Sequence, residues 1–183
     1  MSKLMSLIPS QVKAIIFDLD DTLYDCSGTL VLKSKELAAT IISKAIKCSE
    51  AEALKLQLEF EGRLGPKADI VREIASLHNL SEGFCTEVSE AINDLNLEGT
   101  VLFPDTMGSI NELKKVGYKL FLVTFGAREM QEKKIKVLGL EKAFDEIVIT
   151  ENPRGKEKCF KEILTKYDLE PEQVLCVGDK IKD

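Results

Sequence analysis

The chain has 183 residues, 44% of them hydrophobic and 31% charged, with a formal net charge of −6 at pH 7. That length allows one domain of about 150 residues plus an insertion, with a core that needs no disulfide or metal staples. The acidic balance offers no basic footprint for nucleic acid or a membrane surface, and no apolar run approaches the roughly 18 residues that span a bilayer. The apolar stretch from Leu4 to Ile8 is stopped by Pro9 and is too brief for a signal peptide. Five scattered cysteines, Cys26, Cys48, Cys85, Cys159 and Cys176, contain no Cys-x-x-Cys pair and suit a reducing compartment, so the chain reads as cytoplasmic. The single histidine, His78, excludes His-rich metal sites and leaves one partner for any Ser–His or Cys–His pair. Chemistry falls to carboxylates, lysines and hydroxyls.

The first element is Val12 to Phe17, a short β-branched run that reads as a strand buried on both faces. It ends in Asp18-Leu19-Asp20-Asp21-Thr22-Leu23. From about residue 30 to residue 98 the texture is helical. Leu37, Ile41 and Ala45 form one track at i+4 spacing, with Ala38, Ile42 and Ile46 beside it. Ser49 to Glu52 is a capping-box pattern. The alternation of Leu54, Leu56, Leu58 and Phe60 after it mimics a strand, but the surrounding Ala, Lys, Gln and Glu favour helix. Ile70 to Ala75 and Cys85 to Leu95 add two more helices, about four in all.

After Pro104 helices and strands alternate. A helix over Ile110 to Val116 closes on Gly117, followed by a strand over Lys119 to Val123 and a helix over Arg128 to Leu138 ending at Gly139. A strand over Glu146 to Ile149, a helix over Lys158 to Tyr167 and a strand over Val174 to Val177 complete the series. The prediction is an α/β fold, a Rossmann-like parallel sheet interrupted after its first strand by an all-helical insertion. The expected domains are a discontinuous core over 1–25 and 101–183 and a helical domain over 26–100.

Open parallel sheets bind ligands at the C-terminal ends of their strands. There the sequence places Asp18, Asp20 and Asp21, then Thr124, then Arg154, Lys156 and Lys158 after a short loop, then Gly178-Asp179 with Asp183 four positions on. Each is ordinary alone: an acidic triplet is usually a solvated turn, a threonine a cap, and a pair of lysines a charged helix start. In this order, at successive strand ends, they have the logic of phosphoryl transfer. Crowded carboxylates suit Mg²⁺, a hydroxyl and a lysine can hold phosphoryl oxygens, and a free carboxylate can attack phosphorus.

Phe17-Asp18-Leu19-Asp20-Asp21-Thr22-Leu23 resembles the Asp-x-Asp-x-Thr signature of the haloacid dehalogenase-like hydrolase superfamily. Leu120 to Thr124 resembles its second motif, Lys156 stands where its third-motif lysine belongs, and Val174 to Asp183 resembles its acidic fourth motif. The helical insertion is similar to the cap of the family's first cap class. The resemblance implies Asp18 as nucleophile and metal ligand. Asp20 would be general acid and then base, with its backbone carbonyl on the metal. Thr124 and Lys156 would be phosphoryl contacts, and Asp179 and Asp183 would complete a Mg²⁺ site. It leaves Asp21 as structural and Thr22 as ordering the loop. Lys158 and Arg154 compete with Lys156, whose spacing to Phe160 fits better, and Phe125 stands where many relatives carry Asn. A carboxylate at Asp20 points to phosphate esters and away from carbon–halogen bonds, because an alkoxide leaving group needs a proton. The family's fold usually continues into a fifth strand and a helix beyond the position of Asp183.

The expected function is a Mg²⁺-dependent phosphohydrolase working through an aspartyl-phosphate on a small phosphorylated metabolite. A sugar phosphomutase of the same superfamily and a non-catalytic phospho-ligand-binding protein are the alternatives. A phospho-accepting receiver is disfavoured because its acidic pair and phospho-acceptor lie on different strands. Residues 26 to 100 hold 8 Lys/Arg and 12 Asp/Glu, which disfavours polyanionic partners such as nucleic acid. Neither membrane nor nucleic acid is expected as a partner, and the oligomeric state is left open. His78 and Arg128 read as partly exposed helix residues, and Cys159 and Cys176 as core packing.

Overall fold

The computed structural model describes residues 7–65, 68–152 and 154–179. They divide into two compact units: the described residues up to Ser27 with those from Leu97 onward, and Gly28–Asn96. No helix among them is long and apolar enough to cross a membrane.

The chain enters through β1 (Ala14–Phe17), all four residues of which are buried. The helical unit follows. A π-helical turn over Ser27–Val31, not anticipated from sequence, leads into α1 (Leu32–Ile46). Next come α2 (Glu50–Leu64), α3 (Ile70–Leu77) and α4 (Glu82–Asn93). The capping box forms at α2: Glu52 N–H donates to Ser49 Oγ at 3.2 Å while Ser49 N–H donates to the Glu52 carboxylate at 2.8 Å. Helical period prevails over the leucine alternation, since Ala53, Gln57 and Phe60 point inward and Leu58 is exposed. The four helices share one core around Ile42, Phe60, Ile74 and Phe84.

The α/β unit resumes with α5 (Thr106–Lys115), β2 (Lys119–Phe125), α6 (Arg128–Val137), β3 (Glu146–Thr150), α7 (Lys156–Tyr167) and β4 (Val174–Val177). The sheet order is β3-β2-β1-β4, every pair parallel. This is the expected Rossmann-like arrangement, with β1 between β2 and β4. Strand β2 runs two residues longer than its apolar pattern suggested, and α7 starts two residues earlier. One sheet face packs Ile16, Phe121 and Val123 against Cys159 and Ile163 of α7.

One expectation fails here. Cys176 is exposed rather than part of the core. It pairs in register with Ile16 on the edge strand β4, whereas among the described residues α7 meets the sheet chiefly at β2 and β3.

Asp145, just before β3, ties the sheet to its loop. Its carboxylate accepts from Leu120 N–H at 2.9 Å and from Lys119 Nζ at 2.8 Å. Partial burial raises its pKa, but these bonds outweigh it and hold the carboxyl below its ordinary value of 3.8. A depressed carboxyl pKa stabilises the fold above the unfolded-state value, and the gain disappears as pH falls through the folded value. Asp145→Ala is therefore expected to cost about 1 kcal/mol at pH 7, some 2–4 °C in Tm. It should also flatten the loss of stability below about pH 4, measured by thermal melts across pH.

Candidate active site

Strand pairing assembles the site before any side chain is placed. Phe17 pairs with Leu122 on one side and Val177 on the other. The residues after β1, the end of β2 and the residues after β4 thus emerge along one edge of the sheet. Asp18 N–H continues the ladder by donating to Val177 O at 2.9 Å.

Asp18 is held at both oxygens. Leu19 N–H donates to Oδ1 at 2.8 Å, and Lys156 Nζ to Oδ2 at 2.6 Å. Both partners of this ion pair are largely shielded from water. Lys156 is the first residue of α7, and Gly155 before it lies so close to β3 that a Cβ would stand 2.0 Å from Thr150 Oγ1 and 3.0 Å from Asn152 O. That contact seats the helix start against the sheet. A helix turns about 100° per residue, so Lys158 faces away from Lys156. It is 82% exposed and pairs with Glu162. Arg154 is exposed, with its backbone N–H on Asn152 Oδ1. Of the three basic groups weighed from sequence, Lys156 is the one seen paired with Asp18.

Asp20 is held more elaborately. Tyr24 OH donates to Oδ1 at 2.5 Å, Lys134 Nζ lies 2.9 and 3.1 Å from the two oxygens, and Gln131 Nε2 donates to Oδ2 at 3.1 Å. Burial acts to raise the Asp20 pKa, but the Lys134 charge and the bonds from Tyr24, Lys134 and Gln131 overcome it, and the carboxyl sits below its ordinary value. Burial and the Asp20 charge push the Tyr24 phenol far above 10, so it remains a donor. Cys26, 3.9 Å from Lys134 Nζ, is buried and driven up to about 11, so it stays a neutral thiol.

Thr124 is fully buried near the end of β2, and its Oγ1 accepts from Gln131 Nε2 at 2.7 Å. The same nitrogen also reaches Phe125 O at 2.9 Å. Gly126 makes this possible: its φ is +152°, and a Cβ there would stand 3.1 Å from the Gln131 amide. Phe125 therefore contributes its carbonyl, and its side chain is partly exposed.

Asp21 adopts a left-handed φ of 57° and accepts from Ser27 N–H at 2.7 Å and Ser27 Oγ at 2.6 Å, the structural part expected of it. Thr22 bonds through its backbone N–H to Leu19 O at 3.4 Å, while its buried hydroxyl has no partner among the described residues. Arg128 is anchored to β3, with Nη2 on Ile149 O at 3.2 Å. His78, the C-cap of α3, is exposed.

Asp179 follows β4 and is exposed. Asp183 lies outside the described residues. Among the described residues no three His, Cys, Asp or Glu side chains stand together to hold a metal. Asp18 and Asp20 follow β1 and Asp179 follows the adjacent β4, and carboxylate oxygens are the hard donors that suit Mg²⁺.

Three residues here escaped the sequence reading: Tyr24, Gln131 and Lys134. A signal for two of them existed. Gln131, Lys134, Ile135 and Leu138 form the inward stripe of α6 and its cap, and two polar residues on such a stripe require a polar partner inside.

Residues 15–183 match the haloacid dehalogenase-like hydrolase family, and the chain belongs to it. A glyceraldehyde 3-phosphate phosphatase of Methanothermobacter thermautotrophicus is 32% identical over 181 residues, covering 94% of this chain and 79% of that one. The pyrophosphatase PpaX of Bacillus cereus is 25% identical over 177 residues, covering 94% and 77%. Among solved structures, a HAD phosphatase from Thermococcus onnurineus superposes with a TM-score of 0.65 at 24% identity, covering 93% of this chain and 78% of that one. That likeness is one of fold.

Gly155→Ala tests how α7 is seated. The added methyl cannot fit against Thr150 without shifting the helix start that carries Lys156. We expect Tm to fall by several degrees, about 1–3 kcal/mol of overpacking. The double variant with Thr150→Ala should recover part of the loss in melting experiments.

Proposed function

We propose that the protein is a Mg²⁺-dependent phosphatase that hydrolyses a small phosphate monoester through an aspartyl-phosphate on Asp18. The observation that carries this reading is the 2.6 Å contact between Lys156 and Asp18 at the sheet edge, next to a second carboxylate, Asp20, two residues on. In this reading a lone pair of the Asp18 carboxylate forms a bond to phosphorus as the ester P–O bond breaks, and Asp20, whose donors favour its ionised form, first takes up a proton from solvent and then gives it to the leaving alkoxide. Water then attacks phosphorus, Asp20 takes its proton, and the Asp18–phosphate bond breaks to release inorganic phosphate. Lys156 and the Thr124 hydroxyl hold phosphoryl oxygens, and the lysine offsets repulsion between Asp18 and the incoming anion. Mg²⁺ on Asp18, the Asp20 carbonyl and Asp179, with Asp183 as a further ligand, would supply positive charge for phosphate binding.

The two curated relatives are named for a triose phosphate and for pyrophosphate, which makes these the first substrates to assay. We assign the choice among esters to the helical unit Gly28–Asn96, acting as the cap that its position after β1 suggests. Five free cysteines support a cytoplasmic setting.

Purified protein is expected to release phosphate from glyceraldehyde 3-phosphate or p-nitrophenyl phosphate with Mg²⁺ and to lose that activity in EDTA. Asp18→Asn should abolish turnover, since an amide supplies no attacking oxygen. Activity within about tenfold of the unaltered chain, a difference of only about 1.4 kcal/mol, would exclude the covalent route.

A further inference from the structure

Lys134 is an unusual place for a charge. It projects from the inward stripe of α6, its side chain is only 10% exposed, and it meets the Asp20 carboxylate at both oxygens. A buried ammonium is a poor stabiliser of a fold, because desolvation offsets most of the attraction to its partner and an apolar side chain would fill the same stripe. Gln131, one turn earlier, is 1% exposed and places a single amide nitrogen on Asp20, Thr124 and Phe125 O together. The orientation of that amide is forced. Reversing it would set its carbonyl oxygen against a carboxylate and a main-chain carbonyl, and even as it stands Oε1 has no partner among the described residues. Tyr24, with no exposed surface, adds its hydroxyl to Oδ1.

We propose that Lys134 is a positioning residue for Asp20. With Tyr24 and Gln131 it fixes where the Asp20 carboxylate lies relative to the Thr124 hydroxyl, so that α6 sets the spacing between the acid/base group and the phosphoryl contact. This rests on the acid/base function proposed above for Asp20. Lys134 touches no reacting atom; it acts through the carboxylate it holds. Small displacements of a catalytic group carry large rate penalties, which gives a buried clamp on a surface-reaching carboxylate a use that packing alone does not.

The test is a double-mutant cycle on the full chain, with p-nitrophenyl phosphate and Mg²⁺ as the probe. Lys134→Met should lower kcat by about tenfold or more, with KM changed less than about threefold. Its Tm should stay within a few degrees of the unaltered chain, because Asp20 is 28% exposed and can take up water in place of the lost ammonium. Lys134→Arg, which keeps the charge, should recover part of kcat. In an Asp20→Asn background, Lys134→Met should have less than about a twofold further effect. An equal loss in both backgrounds, a change confined to KM, or an unaltered kcat in Lys134→Met would overturn the proposal. If Lys134→Met does not fold, Tyr24→Phe carries the same comparison, since it removes one hydroxyl and keeps the ring. Its kcat loss should be smaller and should vanish in the Asp20→Asn background; persistence there overturns the proposal. Turnover that survives Asp18→Asn would remove the phosphatase reading itself, whereas turnover that needs Asp18 and ignores Lys134 would remove only this inference.

Discussion

Four residues of β1 pair with β2 on one side and β4 on the other, and the candidate site hangs from that double pairing. A strand this short gains little by itself. Its place in the middle of a parallel sheet, with every residue buried, makes it answer to two neighbours in a single register. A slip of one residue would turn Ile16 away from α7 and move Asp18 off the sheet edge. The adjacent apolar residues Ala14, Ile15, Ile16 and Phe17 thus fix a charge that none of them contacts chemically.

At that edge two carboxylates two residues apart are handled differently. Asp18 accepts from the Leu19 backbone N–H and from Lys156. Asp20 is enclosed by a phenol, an amide and a second lysine. The lysines come from separate helices, α7 and α6, so each carboxylate has its own cation. The arrangement keeps them apart in environment although the chain keeps them together.

Much of this was legible in the sequence. The run from Asp18 to Leu23, the apolar strand ending at Thr124, and the alternation of helices and strands after Pro104 pointed to the sheet and its reactive edge. They did so because strand burial and strand-end chemistry leave local patterns. Which of Lys156 and Lys158 faces the sheet edge was harder to read, since α7 was expected to begin at Lys158. Its actual start at Lys156 turns that lysine toward Asp18 and Lys158 toward solvent. Cys176 was misplaced because alternation along a strand says nothing about which stretch of a sheet face a helix covers. Gln131 and Lys134, despite their place on the inward stripe of α6, were passed over for a different reason. Polar residues on a helix read as surface until the carboxylate they serve, more than a hundred positions earlier, is brought alongside by the fold.

The enclosure of Asp20 has a bearing on how other chains can be read. Its members stand at fixed intervals. Tyr24 lies four residues after Asp20, Gln131 lies seven after Thr124, and Lys134 lies three after Gln131. The first interval is set by the tight loop after β1, the second by the turn at Gly126 into α6, and the third by one turn of helix. Each is local geometry, so the set can be written as two short strings, Asp-x-x-x-Tyr and Thr-x-x-x-x-x-x-Gln-x-x-Lys. The strings join what the fold brings together, and a chain that carries both has the parts to hold its second aspartate from the same three directions.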